Sequence, residues 1–197
     1  MRGQGLCGES AVPAEMSRPP YEDALAACRV LERLAGFDAR VAGTPPLGLD
    51  LPGSDIDVLC CAPDAHAFAA ALWAAFGEAP GFTLTQWRDP PRPVVAAFDA
   101  AGWRIEVYGE AALVERQPGW RHFAVERRLL ALGGPRFRSA VLDLRHRGQK
   151  TEPAVAAALR LLGDPYLALL ELGDRGDADL CAVLRAAGFT AMSAHRP

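Results

Sequence analysis

Hydrophobic and polar positions follow two different periods along the first half of the chain. Apolar residues three and four positions apart predict a helix over 21–34 that ends at Gly36, and an Ala-rich stretch predicts a second helix over 64–76. Short apolar runs between turn signals predict strands over 37–42, 54–61, 82–87, 94–98 and 103–108. The last three strands are close enough in sequence to form an antiparallel meander beside the strand over 54–61.

The second half of the chain has a helical period throughout. Helices are predicted over 120–132, 137–147, 152–162, 166–172 and 178–187. Thr151 and Asp164 are suited to cap two of them, because each precedes a proline within the first turn. We therefore predict an α+β fold in which a small mixed or antiparallel sheet flanked by helices fills residues 20–110. A helical region over 111–197 packs on this core, and residues 1–19, which lack any periodicity, form a disordered tail.

Composition narrows the classes of function. Half of the 197 residues are hydrophobic, and the net charge is -3. This balance argues against a long nucleic acid as partner, although basic residues cluster over 121–150. No apolar run approaches the roughly 18 residues of a membrane span, so no membrane contact is expected. The five cysteines have no ligand-like spacing, which is typical of reduced thiols in a cytoplasmic protein.

The segment from Gly43 to Leu59 carries the clearest chemical signal. It contains Gly43-Thr44, ten intervening residues, and then Asp55-Ile56-Asp57 at the start of an apolar run. Side chains two positions apart on a strand share one face, where two carboxylates repel each other unless a cation lies between them. Hard divalent cations take carboxylate oxygens. The segment therefore predicts a Mg²⁺ or Mn²⁺ site for phosphoryl or nucleotidyl transfer, the alternative being a plain turn.

Further residues are candidates for the same site. Glu106 interrupts an apolar strand and is the best third carboxylate, as a metal ligand or a general base; otherwise it is a solvated residue on an exposed strand face. Gly43 and Thr44 offer N–H groups and a hydroxyl to the β and γ phosphates, or they are simple turn residues. Ser54 either orients a phosphate or caps its strand.

Two basic side chains from the helical half complete the candidates. His122 contacts a phosphate or the acceptor, or lies on a helix surface. Lys150 offsets triphosphate charge, or is an ordinary surface lysine. Arg121, Arg127 and Arg128 form a solvated helical face from which one member can reach a substrate.

The order of these motifs resembles that of the DNA-polymerase-β-like nucleotidyltransferases, in which a pair of small residues precedes Asp-x-Asp. Over about 25–172 the chain also resembles an uncharacterised bacterial family, DUF4269. The phrases that carry this second resemblance are Gly53-Ser54-Asp55-Ile56-Asp57, Arg121-His122, Lys150-Thr151-Glu152-Pro153 and Gly163-Asp164-Pro165-Tyr166. One departure is that Pro45-Pro46-Leu47 stands where many minimal members have a basic residue, and Thr44 replaces the usual Ser.

The resemblance implies a function. It implies a nucleotidyltransferase sheet in which Asp55, Asp57 and Glu106 hold Mg²⁺ and transfer a nucleoside monophosphate from an NTP, with ATP the first choice, to a hydroxyl or phosphate acceptor. The helical half would supply part of the acceptor pocket. The alternatives are a catalytically inactive nucleotide- or partner-binding module, for example of a toxin–antitoxin or stress system, and a phosphohydrolase. A protein partner or a homodimer is compatible with each.

Overall fold

A five-stranded mixed sheet forms the centre of the computed structural model, which describes residues 18–190. Its strands are β1 (Arg40–Ala42), β2 (Ile56–Cys61), β3 (Thr83–Gln86), β4 (Val94–Ala100) and β5 (Trp103–Glu110). Their order across the sheet is β1-β2-β5-β4-β3. Strands β2 and β5 run parallel, and the other three pairs are antiparallel. The α+β class and the meander of β3, β4 and β5 are therefore confirmed.

Within residues 18–190, seven α-helices pack beside the sheet or on one another. They are α1 (Tyr21–Cys28), α2 (Val30–Arg33), α3 (Ala65–Phe76), α4 (Pro118–His146), α5 (Thr151–Ala158), α6 (Pro165–Gly173) and α7 (Asp177–Ala186). The predicted cap at Asp164 is confirmed, since its carboxylate accepts hydrogen bonds from the N–H groups of Tyr166 and Leu167. Among the helices of residues 18–190, none is both long and apolar enough to cross a membrane.

Three predicted element boundaries are wrong for backbone reasons. The helix over 21–34 breaks at Arg29, which adopts a left-handed conformation with φ 52°. The strand over 37–42 is reduced to β1, because Asp38 has φ 49° after a short 3-10 turn. Thr151 does not cap α5: Lys150 occupies the N-cap position, and Thr151 is a buried first-turn residue whose hydroxyl accepts a hydrogen bond from Arg145.

Helix α4 unites two predicted helices. It runs from Pro118 to His146 but is interrupted at Gly134, where φ is 64° and ψ is -164°. Pro135 has no N–H to donate to the preceding turn, and its ring disfavours helical geometry at the residue before it. The two halves of α4 therefore meet at an angle rather than forming one straight rod.

Two hydrophobic cores lie on the two faces of the sheet. Val58 belongs to the core shared with α1 and α3, whereas the next residue, Leu59, belongs to the core shared with α4 to α7. Because side chains alternate along a strand, Asp57 shares the face of Leu59 and Glu106 shares that of Tyr108. These four side chains consequently line one cavity between the sheet and the α4–α5 region.

Most of the predicted tail over 1–19 lies outside the described residues, but its last two positions are packed. The Arg18 guanidinium donates to the carbonyl oxygens of Leu51 and Ser54 and stacks 3.8 Å from the centre of the Trp103 ring. The Trp103 indole N–H donates to the Pro19 carbonyl. Arg18 thereby fixes the turn that leads into β2.

Candidate active site

A cavity of about 810 Å³ lies between the sheet, the loop after β1, the first half of α4 and the start of α5. Eight of the residues singled out from the sequence line it, namely Gly43, Thr44, Ser54, Asp55, Asp57, Glu106, His122 and Lys150. Residues separated by up to about a hundred positions in sequence thus share one concave surface, which is where ligands bind in most proteins.

Three carboxylates line the sheet side of this cavity, those of Asp55, Asp57 and Glu106. The parallel pairing of β2 and β5 sets Asp57 beside Glu106, and the pairing of β1 with β2 sets Ala42 on the other side of Asp57. The strand predicted over 54–61 begins only at Ile56, so Asp55 lies at its entrance and is exposed. The pair therefore consists of one half-buried carboxylate on the strand and one in the preceding loop.

The surroundings of Asp57 oppose its ionisation. Burial, followed by the charges of Asp55, Glu106 and Glu152, raises the pKa of Asp57 to about 7. Burial and Asp55 also raise the pKa of Glu106, an effect that Arg104 partly offsets. Within residues 18–190, no Lys, Arg or His nitrogen lies within 4 Å of the Asp55, Asp57 or Glu106 oxygens. A bound cation would relieve this repulsion.

The chemistry of these donors fits Mg²⁺ or Mn²⁺, since both prefer carboxylate oxygens. The side chains do not yet converge: in the described part of the chain, no group of three or more His, Cys, Asp or Glu residues is arranged to hold a metal ion. Binding an ion therefore requires the carboxylates to rotate toward one another.

Gly43 approaches the Asp57 carboxylate closely. It has φ 79°, and a Cβ atom at this position would overlap with Oδ2 of Asp57. Only glycine combines this backbone angle with such an approach. The Gly43–Thr44 turn is thus fitted against the central carboxylate of the cluster.

The segment after this turn packs inward. Pro45–Leu47 forms a short 3-10 turn in which Pro45 and Leu47 are buried. The segment that lacks the basic residue expected from the motif therefore packs into the core. Arg138 of α4 donates to the carbonyl oxygens of Leu47 and Gly48, and it is not part of the cavity wall. This arginine holds the loop in place.

Ser54, His122 and Lys150 contribute different parts of the wall. The Ser54 hydroxyl oxygen accepts a hydrogen bond from the Leu51 N–H at 2.9 Å, so it closes the turn before β2. The His122 side chain is only 12% exposed; its Nε2 lies 3.1 Å from the Tyr166 carbonyl oxygen and its Nδ1 3.9 Å from a Glu152 oxygen. Lys150 is exposed at the start of α5.

The arginines of α4 serve the fold. Arg121 pairs with Asp174, and Arg128 pairs with Asp177, both at 3.0 Å or less. Arg127 lies over the Phe123 ring. None of the three lines the cavity. Arg121 and Arg128 join α4 to the end of α6 and the start of α7.

Comparison with known families shows to which family the chain belongs. The sequence profile of the family described as Domain of unknown function (DUF4269) matches residues 23–172. The chain belongs to this family. No curated protein sequence matches it.

Solved structures resemble this DUF4269 chain in fold. Cid1 poly(U) polymerase with MgGTP bound has 16% sequence identity and a TM-score of 0.50, over 76% of this chain and 47% of that one. The GLD-2/RNP-8 complex has 9% identity and a TM-score of 0.48, over 70% of this chain and 54% of the other. The chain thus spans about half the length of these structures. The first match confirms the nucleotidyltransferase fold that the motif order implied.

The DUF4269 cavity also contains side chains that the sequence analysis missed, namely Tyr108, Gln117, Glu126, Arg145 and Glu152. One of them had a signal. Glu126 follows Phe123 by three positions and precedes Leu130 by four, so it belongs to the apolar stripe of α4 and is only 4% exposed. A carboxylate within such a stripe is rarely buried without a function or a partner.

Proposed function

We propose that the chain is a divalent-metal-dependent nucleotidyltransferase that moves a nucleoside monophosphate from an NTP, with ATP the first choice, to a hydroxyl or phosphate acceptor in the cavity. The observation that carries the proposal is the carboxylate cluster of Asp55, Asp57 and Glu106. It lies on a nucleotidyltransferase-type sheet, beside a glycine turn, with no cationic side chain against it among residues 18–190.

Asp55, Asp57 and Glu106 would hold the metal, which when bound offsets the charge of the triphosphate and of the leaving pyrophosphate. In the reaction, the acceptor oxygen forms a bond to the α-phosphorus, and the bond from that phosphorus to the β-phosphate oxygen breaks. Pyrophosphate leaves, and the acceptor proton passes to a base. Burial and the Asp55 charge raise the pKa of Glu106, which makes this carboxylate a stronger base than an exposed one and a candidate to accept that proton.

The remaining wall residues would position the substrates. The backbone at Gly43 and the Thr44 hydroxyl are donors on the phosphate side, and Lys150 supplies a positive charge at the start of α5. His122 on α4 faces the same cavity from the helical side. The acceptor would bind between these helices and the sheet, so that its hydroxyl approaches from the side opposite the glycine turn.

One observation favours the second candidate, a binding module without catalysis. The buried Pro45–Leu47 turn leaves no cation where many minimal nucleotidyltransferases have one. Such a module would bind a nucleotide and metal without transferring any group.

A labelling experiment separates these functions. The protein is incubated with Mg²⁺, a cell extract and each NTP labelled at the α-phosphate, and label transfer and pyrophosphate release are measured. The expected result is transfer that the Asp55→Asn/Asp57→Asn double variant loses. Asp50→Asn is the matched control, because Asp50 is exposed in the same segment and does not line the cavity.

Each other outcome has a distinct meaning. Binding of Mg-NTP without transfer favours the binding module. Release of inorganic phosphate in place of pyrophosphate indicates a phosphohydrolase. Absence of any NTP binding in the presence of metal overturns the proposed function.

A further inference from the structure

The helical wall of the cavity contains buried polar atoms that have no hydrogen-bond partner. Within residues 18–190 these atoms are Oε1 of Gln117, Oε1 of Glu126 and Nε of Arg145, and all three residues line the cavity. Gln117 and Glu126 are 1% and 4% exposed. Since buried polar side chains are nearly always hydrogen-bonded, the concentration of these atoms at one cavity points to the polar groups of a ligand.

The charges of this wall are not balanced. Besides the three carboxylates assigned to the metal, the cavity is lined by Glu126 of α4 and Glu152 of α5. The Glu152 charge raises the pKa of both Glu126 and Asp57, so it acts on the buried carboxyl and on the carboxylate cluster alike. Burial has a still larger effect and raises the pKa of Glu126 to about 8, against the opposing influence of Arg145.

The nearby basic groups do not neutralise Glu126. Arg145 donates to the Thr151 hydroxyl, and no Lys, Arg or His nitrogen of the described residues lies within 4 Å of a Glu126 oxygen. The His122 Nε2 atom is beside the Tyr166 carbonyl. The wall between α4 and α5 therefore holds two carboxylates, of which Glu152 has the His122 Nδ1 atom 3.9 Å from one oxygen, whereas Glu126 has no such partner among the described residues.

We propose that Glu126 and Glu152 bind an ammonium group of the acceptor, so that the acceptor is a small molecule carrying a primary amine as well as the reacting hydroxyl. This inference rests on the proposed function in one respect, namely that the bound amine is the acceptor of the transferred group. A neutral hydroxyl would satisfy the free oxygen of Glu126 but would not oppose the negative charge of Glu152, and a phosphate would be repelled by that charge. An ammonium group offers three donors and a positive charge.

Glucosamine and glucose are matched probes, since they differ in one amine. We expect glucosamine to bind the wild-type protein about tenfold more tightly than glucose at pH 6.5. The ammonium displaces the proton that burial keeps on Glu126 and then makes hydrogen bonds between charged groups, which are the stronger class. Titration followed by NMR, with Mg²⁺ and a non-hydrolysable ATP analogue present, measures both. Equal affinity for the two sugars overturns the proposal.

Variants test the assignment to Glu126. Glu126→Gln keeps the shape of the side chain and is expected to reduce glucosamine binding to the level of glucose. Glu171→Gln, at an exposed position of α6 outside the cavity, is the control and should leave the preference intact. A preference that survives Glu126→Gln, in protein whose circular dichroism matches the wild type, contradicts the assignment. The wild-type comparison remains decisive if the variant does not fold.

Failure of this inference is distinguishable from failure of the proposed function. Transfer of label to some acceptor, together with equal affinities for the two sugars, rejects only the amine site. A preference for glucosamine in a protein that binds no Mg-NTP rejects only the nucleotidyltransferase, and leaves an amine-binding cavity. Asp57→Asn should weaken binding of the nucleotide analogue and retain the preference for glucosamine.

Discussion

Asp57 lies where burial and three neighbouring carboxylates all oppose its ionisation. Its pKa is raised to about 7, from an ordinary value of 3.8. Between these two values the folded protein keeps a proton that the unfolded chain releases. The contribution of Asp57 to stability is therefore greatest below pH 4, falls as the pH rises through this window, and stays low above pH 7.

The first prediction concerns the charge of this side chain. In EDTA at pH 8, Asp57→Asn is expected to raise the free energy of unfolding by about 2 to 4 kcal/mol, because the amide never has to ionise. At pH 4 the gain should be near zero. Urea unfolding at both pH values measures this gain in stability, with Asp50→Asn as the control. A variant no more stable than the wild type at pH 8 would show that the carboxylate is already compensated.

Gly43 tests how closely the Gly43–Thr44 turn is fitted to that carboxylate. Gly43→Ala adds a Cβ that would overlap with Asp57 Oδ2 and strains a backbone with φ 79°. We predict a loss of stability of about 1–3 kcal/mol and, in addition, a loss of Mg-ATP binding, measured by calorimetry.

Gly163→Ala is the matched control for this second prediction. Gly163 has φ 85°, but a Cβ there meets no atom within 4 Å and the residue does not line the cavity. The Gly163→Ala variant should lose stability through backbone strain alone and should bind nucleotide normally. If both variants bind Mg-ATP equally well, the contact between Gly43 and Asp57 has no role in binding.

At the scale of elements, the sheet was predictable from local pattern. The apolar run after Asp55 and the three runs separated by turn residues gave β2 to β5 to within a few residues. The breaks at the left-handed residues Arg29 and Asp38 were not predictable, since neither residue is a glycine and nothing in the local sequence requires a positive φ there. Tertiary packing, which no local window contains, sets these two breaks.

The candidate site also has a part that the sequence predicts and a part that it does not. Asp57 and Glu106 were found because each belongs to a strand pattern, and the spacing along a strand is local information. Glu126 and Arg145 were missed because they lie on opposite sides of the break in α4, and only the path of the chain through that break brings both to one cavity. That arrangement follows from the break in α4, whose angle the sequence does not specify.

The third prediction addresses this break. Gly134 has a φ/ψ pair that is unfavourable for residues with a Cβ, so Gly134→Ala should destabilise the protein by about 1–3 kcal/mol. Urea unfolding measures the loss. Gly36→Ala is the control, since Gly36 has no positive φ and a Cβ there meets no atom within 4 Å. An unchanged midpoint for Gly134→Ala would mean that α4 can straighten at no cost.

At the scale of the whole molecule, the cavity joins the two cores. Its sheet wall is built on β2, whose alternate side chains enter both cores, and its helical wall belongs to the core of α4 to α7. Arg18 adds a tether from before α1 to the turn that carries Ser54. A ligand that contacts both walls therefore stabilises the molecule as a unit, and its binding is measurable as a change in global stability.

The fourth prediction uses this linkage to separate metal from nucleotide. A ligand at a hundred times its Kd stabilises the folded state by about 2.7 kcal/mol, which corresponds to a rise in Tm of roughly 5–10 °C for a chain of this size. We expect that rise with Mg²⁺ and a non-hydrolysable ATP analogue together. The analogue in EDTA should give almost no rise in Tm, because five carboxylates line the cavity and repel the triphosphate.

The Asp55→Asn/Asp57→Asn variant should respond to neither addition, whereas Asp50→Asn should respond as the wild type does. An equal rise with and without Mg²⁺ would mean that Lys150 and Arg145 hold the nucleotide without any ion, and the carboxylate cluster would then need another purpose.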